Sequence, residues 1–248
     1  MTNRRIGHPL ITLPQVDSTN TLLLRMFEED PSIAEGTTLV AEQQTSGRGR
    51  RGRSWFTAAE SLACSVLLKP SVPLGEASTL TLVAAVAVHH ALAPWIPNVR
   101  IKWPNDLLVG ERKLCGILTE SRSQGGELQA LVVGIGLNIS APKQGWPDDI
   151  ATIACSVNEC RSTAWSRDAC LQAITASFDH YYTLWQRQGF APIRQAWQTA
   201  HAHQDQAITI AGGVAPRHGI ARGLDHDGAL LLETNDGIER VICGEVHV

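Results

Sequence analysis

The sequence predicts an α+β protein with a small β-rich module at its C-terminal end. Three observations lead there. Stretches with apolar residues on one helical face stand near both ends of the first two hundred residues. Between them, short apolar runs follow one another across Gly turns. From about Gln206 the character changes to brief β segments separated by Gly and Asp. In chain order, a short lead interrupted by Pro9 and Pro14 reaches Val16-Asp17-Ser18-Thr19-Asn20, which offers capping side chains. Leu22, Leu23, Met26 and Phe27 follow at helical spacing, so a helix runs to about Glu29 and Pro31 stops it. Thr37 to Gln43 reads as a strand, Thr45 to Ser54 as a loop of Gly and Arg, and Leu62 to Leu68 as a second strand. Leu80 to Leu92 is rich in Ala, Val and Leu without alternation and ends before Pro94, which predicts a buried helix. Strands are expected at Val99 to Trp103, Leu107 to Val109, Gly116 to Ser121 and Leu128 to Ile135, with turns at Gly110 and Gly125-Gly126. Ser166 begins a long helix whose Cys170, Leu171, Ile174, Phe178, Tyr181, Tyr182 and Trp185 trace one face and which Gly189 closes. A second helix follows Pro192. The segments Ala207 to Ile210, Gly219 to Leu224, Ala229 to Glu233 and Glu239 to Ile242 then suggest a small barrel, so the chain divides into residues 1–203 and 204–248.

Composition narrows the function classes. Of 248 residues 44% are hydrophobic and 18% charged, ordinary globular values that exclude disorder and a rod. The longest apolar run, Leu82 to Val88, is far short of the roughly 18 residues that span a bilayer. Arg4 and Arg5 precede apolar residues, but the two prolines break any signal-peptide core, so a cytoplasmic location is expected. The six cysteines show no C-x-x-C pair and most lie in apolar segments, the pattern of reduced core thiols rather than disulfides or zinc ligands. Asn138-Ile139-Ser140 matches a glycosylation acceptor that a cytoplasmic chain does not use. A net charge of -3 gives no global basic field, so neither DNA nor a membrane is expected as partner. Basic residues are strongly biased: 17 are Arg, and the only lysines are Lys69, Lys102, Lys113 and Lys143. A lysine kept in so Arg-rich a chain points to a task arginine does not perform.

Gly47-Arg48-Gly49-Arg50-Arg51-Gly52 matches G-x-G-x-x-G, but dinucleotide binding needs a helix directly after the glycines and an acidic residue some 20 positions on. Here Ser54-Trp55-Phe56 leads to another strand and the later region is Pro-Ser-Val-Pro. Four arginines spaced by glycines suit instead a mobile loop that folds around a polyanion, since the guanidinium fork grips phosphate oxygens and glycine lets the backbone close in. A solvated basic loop and an RNA-contact loop with Trp55 stacking on a base are the alternatives. Lys102-Trp103-Pro104-Asn105-Asp106 joins a strand to a turn and crowds polar groups beside a lysine, as a plain surface turn also would. Lys113-Leu114-Cys115-Gly116-Ile117-Leu118 sets a lysine where a strand enters the core, with Gly116 permitting close approach of a ligand. Gly134-Ile135-Gly136-Leu137-Asn138-Ile139 is a buried strand with two glycines and one amide, a further sign of something lying against the backbone.

The five segments together, beginning with Asp17-Ser18-Thr19-Asn20 and taken in that order, closely resemble the biotin protein ligases. The resemblance is tight from Leu10 to Ile139, loose over the long helices, and returns around Arg222-Gly223-Leu224 and Gly228 to Leu232. It implies a mixed-sheet catalytic domain of the biotin/lipoate ligase type over 1–203 and a small SH3-like β-barrel over 204–248. With sixteen residues before Asp17, the chain resembles the short class without the N-terminal DNA-binding repressor domain. The implied activity joins biotin to AMP from ATP, releases pyrophosphate, and passes the biotinyl group to a lysine of a biotin carboxyl carrier protein; a homodimer is left open.

By the same resemblance Ser18, Thr19, Asn20 and Gln43 bind the ureido ring. Gly47, Arg48, Gly49, Arg50 and Gly116 face the rest of biotin. The loop from Gly47 to Trp55, disordered when empty, closes over the adenylate and keeps the mixed anhydride from water. Arg50, Arg53, Trp55, Lys102, Asn105, Asp106 and Asn138 line the ATP side, Trp55 stacking beside adenine, with magnesium assigned to Asp106. Lys113 is the central catalytic group, supported by Arg50 and Lys102, because a compact ammonium reaches both the biotin carboxylate and the α-phosphate. Cys115 beside it would make the site oxidisable unless it is a core thiol. The rival within the fold is a lipoate or octanoyl transferase, which shares the strand-end lysine but lacks this arginine loop.

Overall fold

The structure, a computed structural model, describes residues 4–58, 60–213 and 215–248. A seven-stranded mixed sheet forms its first part from β1 (Leu10–Val16), β2 (Thr38–Gln44), β3 (Leu62–Leu68), β4 (Val99–Lys102), β5 (Asp106–Val109), β6 (Arg112–Gln124) and β7 (Glu127–Leu137), in the order β1-β2-β3-β7-β6-β5-β4. β1 runs parallel to β2 and every other neighbouring pair is antiparallel. Strand alternation divides the apolar residues between the two faces. On one face α1 (Thr19–Glu29) lays Leu23, Leu24 and Phe27 against Leu39, Leu67, Ala130 and Val132. On the other, α3 (Leu80–Leu92) sits between Val40, Cys64, Val66, Val133 and Ile135 and the long helix α4 (Arg167–Gln188). That double burial explains why α3 shows no alternation: ten of its residues are buried, on every side of the helix. Short α2 (Leu74–Ala77) precedes it, and α5 (Ala191–Ala200), with Pro192 in its first turn, follows α4.

Several expectations need correction. The lead before Asp17 is strand β1, whose Pro14 sits on the edge of the sheet, where a missing N–H leaves no ladder bond unmade. Its register passes from Leu13↔Ala41 to Gln15↔Gln43 around that proline. β6 begins at Arg112 rather than Gly116, so Lys113 lies inside the strand, and β7 extends to Leu137 and carries Gly136 within it. All six cysteines are free thiols, and burial pushes those of Cys64, Cys155 and Cys170 up to about 12. Cys115 is fully buried and its thiol is raised as well, chiefly by burial, so it is a core residue and not an oxidisable site.

The C-terminal part is a five-stranded antiparallel sheet of β8 (Ala207–Ala211), β9 (Arg217–Leu224), β10 (Leu230–Thr234), β11 (Gly237–Val241) and β12 (Glu245–His247), in the order β11-β10-β9-β8-β12. β11 and β12 stand at opposite ends of that order, so backbone bonds do not close the expected barrel. Its inner residues Ile208, Ile210, Leu230, Leu232 and Val246 join the core of the large sheet. The buried Trp103 ties the two parts, its Nε1 donating to the carbonyl of Gly228 at 3.2 Å.

Candidate functional site

A cleft of about 1050 Å³ opens above the α1 face of the large sheet and runs to the edge strand β12 of the small one. All the residues singled out from the sequence line it: Ser18, Thr19, Asn20, Gln43, Gly47, Arg48, Gly49, Arg50, Arg53, Trp55, Lys102, Asn105, Asp106, Lys113, Gly116 and Asn138. Strand ends and one loop therefore bring five separate segments together. A smaller cavity of about 470 Å³ adjoins it, sharing Arg50, Ile117 and Leu118.

The floor begins at the first turn of α1. Ser18 is the N-cap residue, yet its side chain makes no capping bond; the backbone N–H of Thr19 is met instead by Gln44 Oε1 at 2.8 Å, and the Thr19 hydroxyl lies 3.1 Å from the same oxygen. Ser18 is thus left with a hydroxyl free of that task. Gln44, one residue beyond the expected Gln43, is the amide that meets Thr19, while Gln43 is exposed at the rim. Gln43 and Gln44 both line the cleft, Gln43 from the face it shares with Leu39 and Ala41 and Gln44 from the end of the strand, where its amide meets Thr19. Asn20 has no group to spare for a ring ligand on its donor side. Its Nδ2 donates to Leu118 O at 3.1 Å and to Glu120 Oε2 at 2.9 Å, and its Oδ1 lies 2.6 Å from Ser65 Oγ.

Two glycines shape the middle. A methyl group at Gly136 would stand 2.5 Å from Trp55 Cε2, and one at Gly116 3.0 Å from Trp55 Cζ3 and 3.2 Å from Lys113 Nζ. The Trp55 indole therefore lies flat on bare strand backbone, 5.6 Å from the Lys113 ammonium, with a buried Nε1 that has no hydrogen-bond partner. Lys113 Nζ is 2.7 Å from Asp106 Oδ1. The strand is held in place beneath it: Lys113 N–H donates to Ile153 O at 2.6 Å, Cys155 N–H to Lys113 O at 3.0 Å, and Asn138 Nδ2 to Cys155 O at 3.0 Å. Asn138 thus fastens the segment that carries the lysine.

The arginine loop has a defined path, with a bridge between Arg48 and Ser54 and a single 3₁₀ turn at Arg50–Gly52 whose Arg51 and Gly52 have positive φ. Among the described residues the next element after its glycines is the strand β3 and not a helix, which excludes the dinucleotide reading. Each arginine has a separate partner. Arg48 Nη1 is 2.8 Å from Glu120 Oε1, Arg50 Nη1 donates to Asn105 Oδ1 at 3.1 Å, Arg51 Nη2 to Gly212 O at 3.3 Å, and Arg53 forms a fork with Glu245 at 2.7 and 2.9 Å. Burial pulls the Arg50 guanidinium's pKa down, against the opposing pull of Asp106. Burial alone would raise the Glu245 carboxyl, but the Arg53 hydrogen bond and charge bring it below the usual range. Gln44, Ser65, Glu120 and Glu245 were not anticipated, since each matters through a partner distant in sequence.

The Biotin/lipoate A/B protein ligase family matches residues 12–138, and the Biotin protein ligase C terminal domain matches 205–248. A biotin--[acetyl-CoA-carboxylase] ligase of Paracoccus denitrificans is 36% identical over 238 residues, covering 94% of this chain and 98% of the relative. The bifunctional ligase/repressor BirA of Bacillus subtilis is 34% identical, the match covering 86% of this chain and 66% of that protein. The solved biotin protein ligase of Aquifex aeolicus in complex with biotin and ATP superposes with a TM-score of 0.82 at 29% identity, over 97% of this chain and 98% of that one.

Proposed function

Since the chain belongs to the biotin/lipoate A/B protein ligase family, we propose that its cleft carries out the two-step biotin protein ligase reaction with the residues described above. The enzyme is a biotin--[biotin carboxyl carrier protein] ligase that uses biotin and ATP. In the first step a biotin carboxylate oxygen bonds to the α-phosphorus and the bond to the β-phosphate oxygen breaks, releasing pyrophosphate. In the second, the neutral amine of a carrier lysine bonds to the acyl carbon, AMP leaves with the acyl–oxygen bond electrons, and the amine loses one proton.

The observation that carries the assignment of roles is the Lys113 ammonium, 2.7 Å from Asp106 and beside the bare backbone of Gly116. A ligand laid along Gly116 and Gly136 would displace the Trp55 indole and bring its carboxylate to that cation, the arrangement needed where negative charge builds up. Thr19, Ser18 and Gln44 supply hydroxyl and amide groups for the ureido ring. Arg50 and Asn105 face the α-phosphate from the loop side, and Trp55, once displaced from the glycines, is available to stack beside adenine. Gly47 and Gly49 let the loop backbone approach. Lys102 and Arg53 extend the positive lining toward the pyrophosphate.

Magnesium enters this reading as counter-ion of the triphosphate, where it spreads the phosphate charge. Asp106 is already engaged by Lys113, and the only cluster of three or more potential metal ligands among the described residues, half-buried Asp225 with exposed His226 and Asp227, lies outside the cleft lining. The free thiols support a reducing, cytoplasmic setting.

The test is biotin-dependent exchange of pyrophosphate into ATP, followed by addition of one biotin mass to a carboxylase carrier domain. Absence of both at saturating biotin and ATP overturns the reading.

A further inference from the structure

One hydrogen-bonded chain crosses the floor of the cleft from the start of the arginine loop back to the loop itself. Gln44 Oε1 meets Thr19, the Thr19 hydroxyl lies 2.7 Å from Ser65 Oγ, and Ser65 Oγ lies 2.6 Å from Asn20 Oδ1. Asn20 Nδ2 then donates to Glu120 Oε2, and Glu120 Oε1 pairs with Arg48 at 2.8 Å. Gln44 and Arg48 are four residues apart in sequence, so the side chains close a ring around the loop's stem. The interior members have little freedom: Ser65 is fully buried, Thr19 and Asn20 nearly so, and Asn20 is pressed onto Gly134, where a methyl group would stand 2.3 Å from its Oδ1. The Thr19 and Ser65 hydroxyls bring one proton each, so with Ser65 donating to Asn20 Oδ1 and Thr19 to Ser65, Gln44 Oε1 joins the chain through the Thr19 backbone N–H, while the acceptors Leu118 O and Glu120 Oε2 turn Asn20 Nδ2 toward them.

From this ring we infer that Glu120 is a positioning residue, a latch that holds Arg48 of the loop against the ring-binding residues Thr19 and Gln44. The inference rests on the proposed function for what those residues bind, but the latch itself is a property of the unliganded chain. Glu120 touches neither reacting atom. Its two oxygens divide their work, one anchored on the rigid floor and one on a guanidinium that is about half exposed. Because Arg48 is the exposed partner, an incoming anion can share or take it. The latch therefore couples occupation of the ring end to the position of the loop's stem.

The test is Glu120→Gln, which keeps an acceptor for Asn20 and the size of the side chain while removing the charge that Arg48 meets. Trypsin cleaves after the loop arginines, and in the unliganded full chain the variant is expected to be cut there about two- to fivefold faster, as loss of a half-exposed ion pair implies. Raising salt should accelerate cleavage of the parent loop but not of the variant's, because screening acts only where the pair exists. Dissociation of biotinyl-AMP should speed up by a similar factor, with the melting temperature unchanged. Loop cleavage equal to the parent's at both salt levels overturns the latch, as does faster cleavage at sites throughout the chain with a lowered melting temperature. Faster loop cleavage in a protein that forms no adenylate leaves the latch standing and removes the proposed function instead.

Discussion

Removing the Lys113 ammonium while keeping its stem isolates the charge from the packing. Lys113→Met should retain the fold and bind biotin, because Gly116 and the backbone bonds to Ile153 and Cys155 do not involve the side chain. Adenylation should fall by about 10²- to 10³-fold, the usual loss for one preorganised group at a developing charge. Single-turnover formation of biotinyl-AMP measures it, and near-normal turnover would assign the role to another cation. The two adjacent glutamines give a sharper comparison. Gln44→Ala deprives the Thr19 N–H of its acceptor at the helix start and should weaken biotin binding roughly five- to tenfold, equivalent to about 1 kcal/mol or slightly more. Gln43→Ala removes only an exposed side chain and should leave binding within a factor of two of the parent. Calorimetric titration with biotin alone distinguishes them; equal losses would mean that both amides face the ring.

At the scale of elements, the arginine loop acts as a unit whose tip and far end have different anchors. Arg50→Gly removes the guanidinium and its hydrogen bond to Asn105 and should leave some adenylation while letting biotinyl-AMP escape, so that bystander proteins acquire biotin on surface lysines. An adenylate off-rate equal to the parent's in rapid filtration would make Arg50 a solvated charge. Glu245→Ala removes the small sheet's hold on Arg53 and should raise the KM for ATP about two- to fivefold with little change for biotin. If KM stays fixed, β12 is a bystander to the loop. The positions of these elements were largely legible in the sequence, because periodicity and turn residues report local geometry: β3 and α3 fall where Leu62 to Leu68 and Leu80 to Leu92 predicted. β1 was hidden by Pro14, which argues against a strand unless the strand is known to be an edge, and that is a tertiary fact. The three-residue β12 and four-residue α2 are too short to carry a period. In the site, glycines and lysines stood out by composition, whereas Ser65 and Glu120 gain meaning only when the strands β3 and β6 bring them beside Asn20.

Across the whole molecule, the junction between the two sheets sets part of the response to pH. His201, nearly buried and tilted against Trp197 with centroids 4.4 Å apart, has a pKa pulled down to about 4, first by burial, with Gln204 opposing. The unfolded chain takes up a proton near pH 6.5 and the folded one does not until about 4, so stability falls across that window and this group contributes nothing further below it. The loss amounts to up to about 3 kcal/mol. Urea midpoints measured from pH 7 to pH 4 should decline more steeply for the parent than for His201→Phe, which keeps the ring and loses the titration. Identical slopes would place the acid sensitivity elsewhere. The molecule also has to survive its own chemistry. Biotinyl-AMP acylates any unprotonated amine within reach, and a chain rich in lysine would consume its product on itself. With four lysines among 248 residues, few such amines exist. On the proposed reading the amine nearest the acyl group is Lys113, whose Nζ is occupied by Asp106 at 2.7 Å. If Lys113 has the proposed role, the ion pair that sets its cation at the reaction also keeps it from competing as a nucleophile, which reserves the acyl group for a visiting lysine.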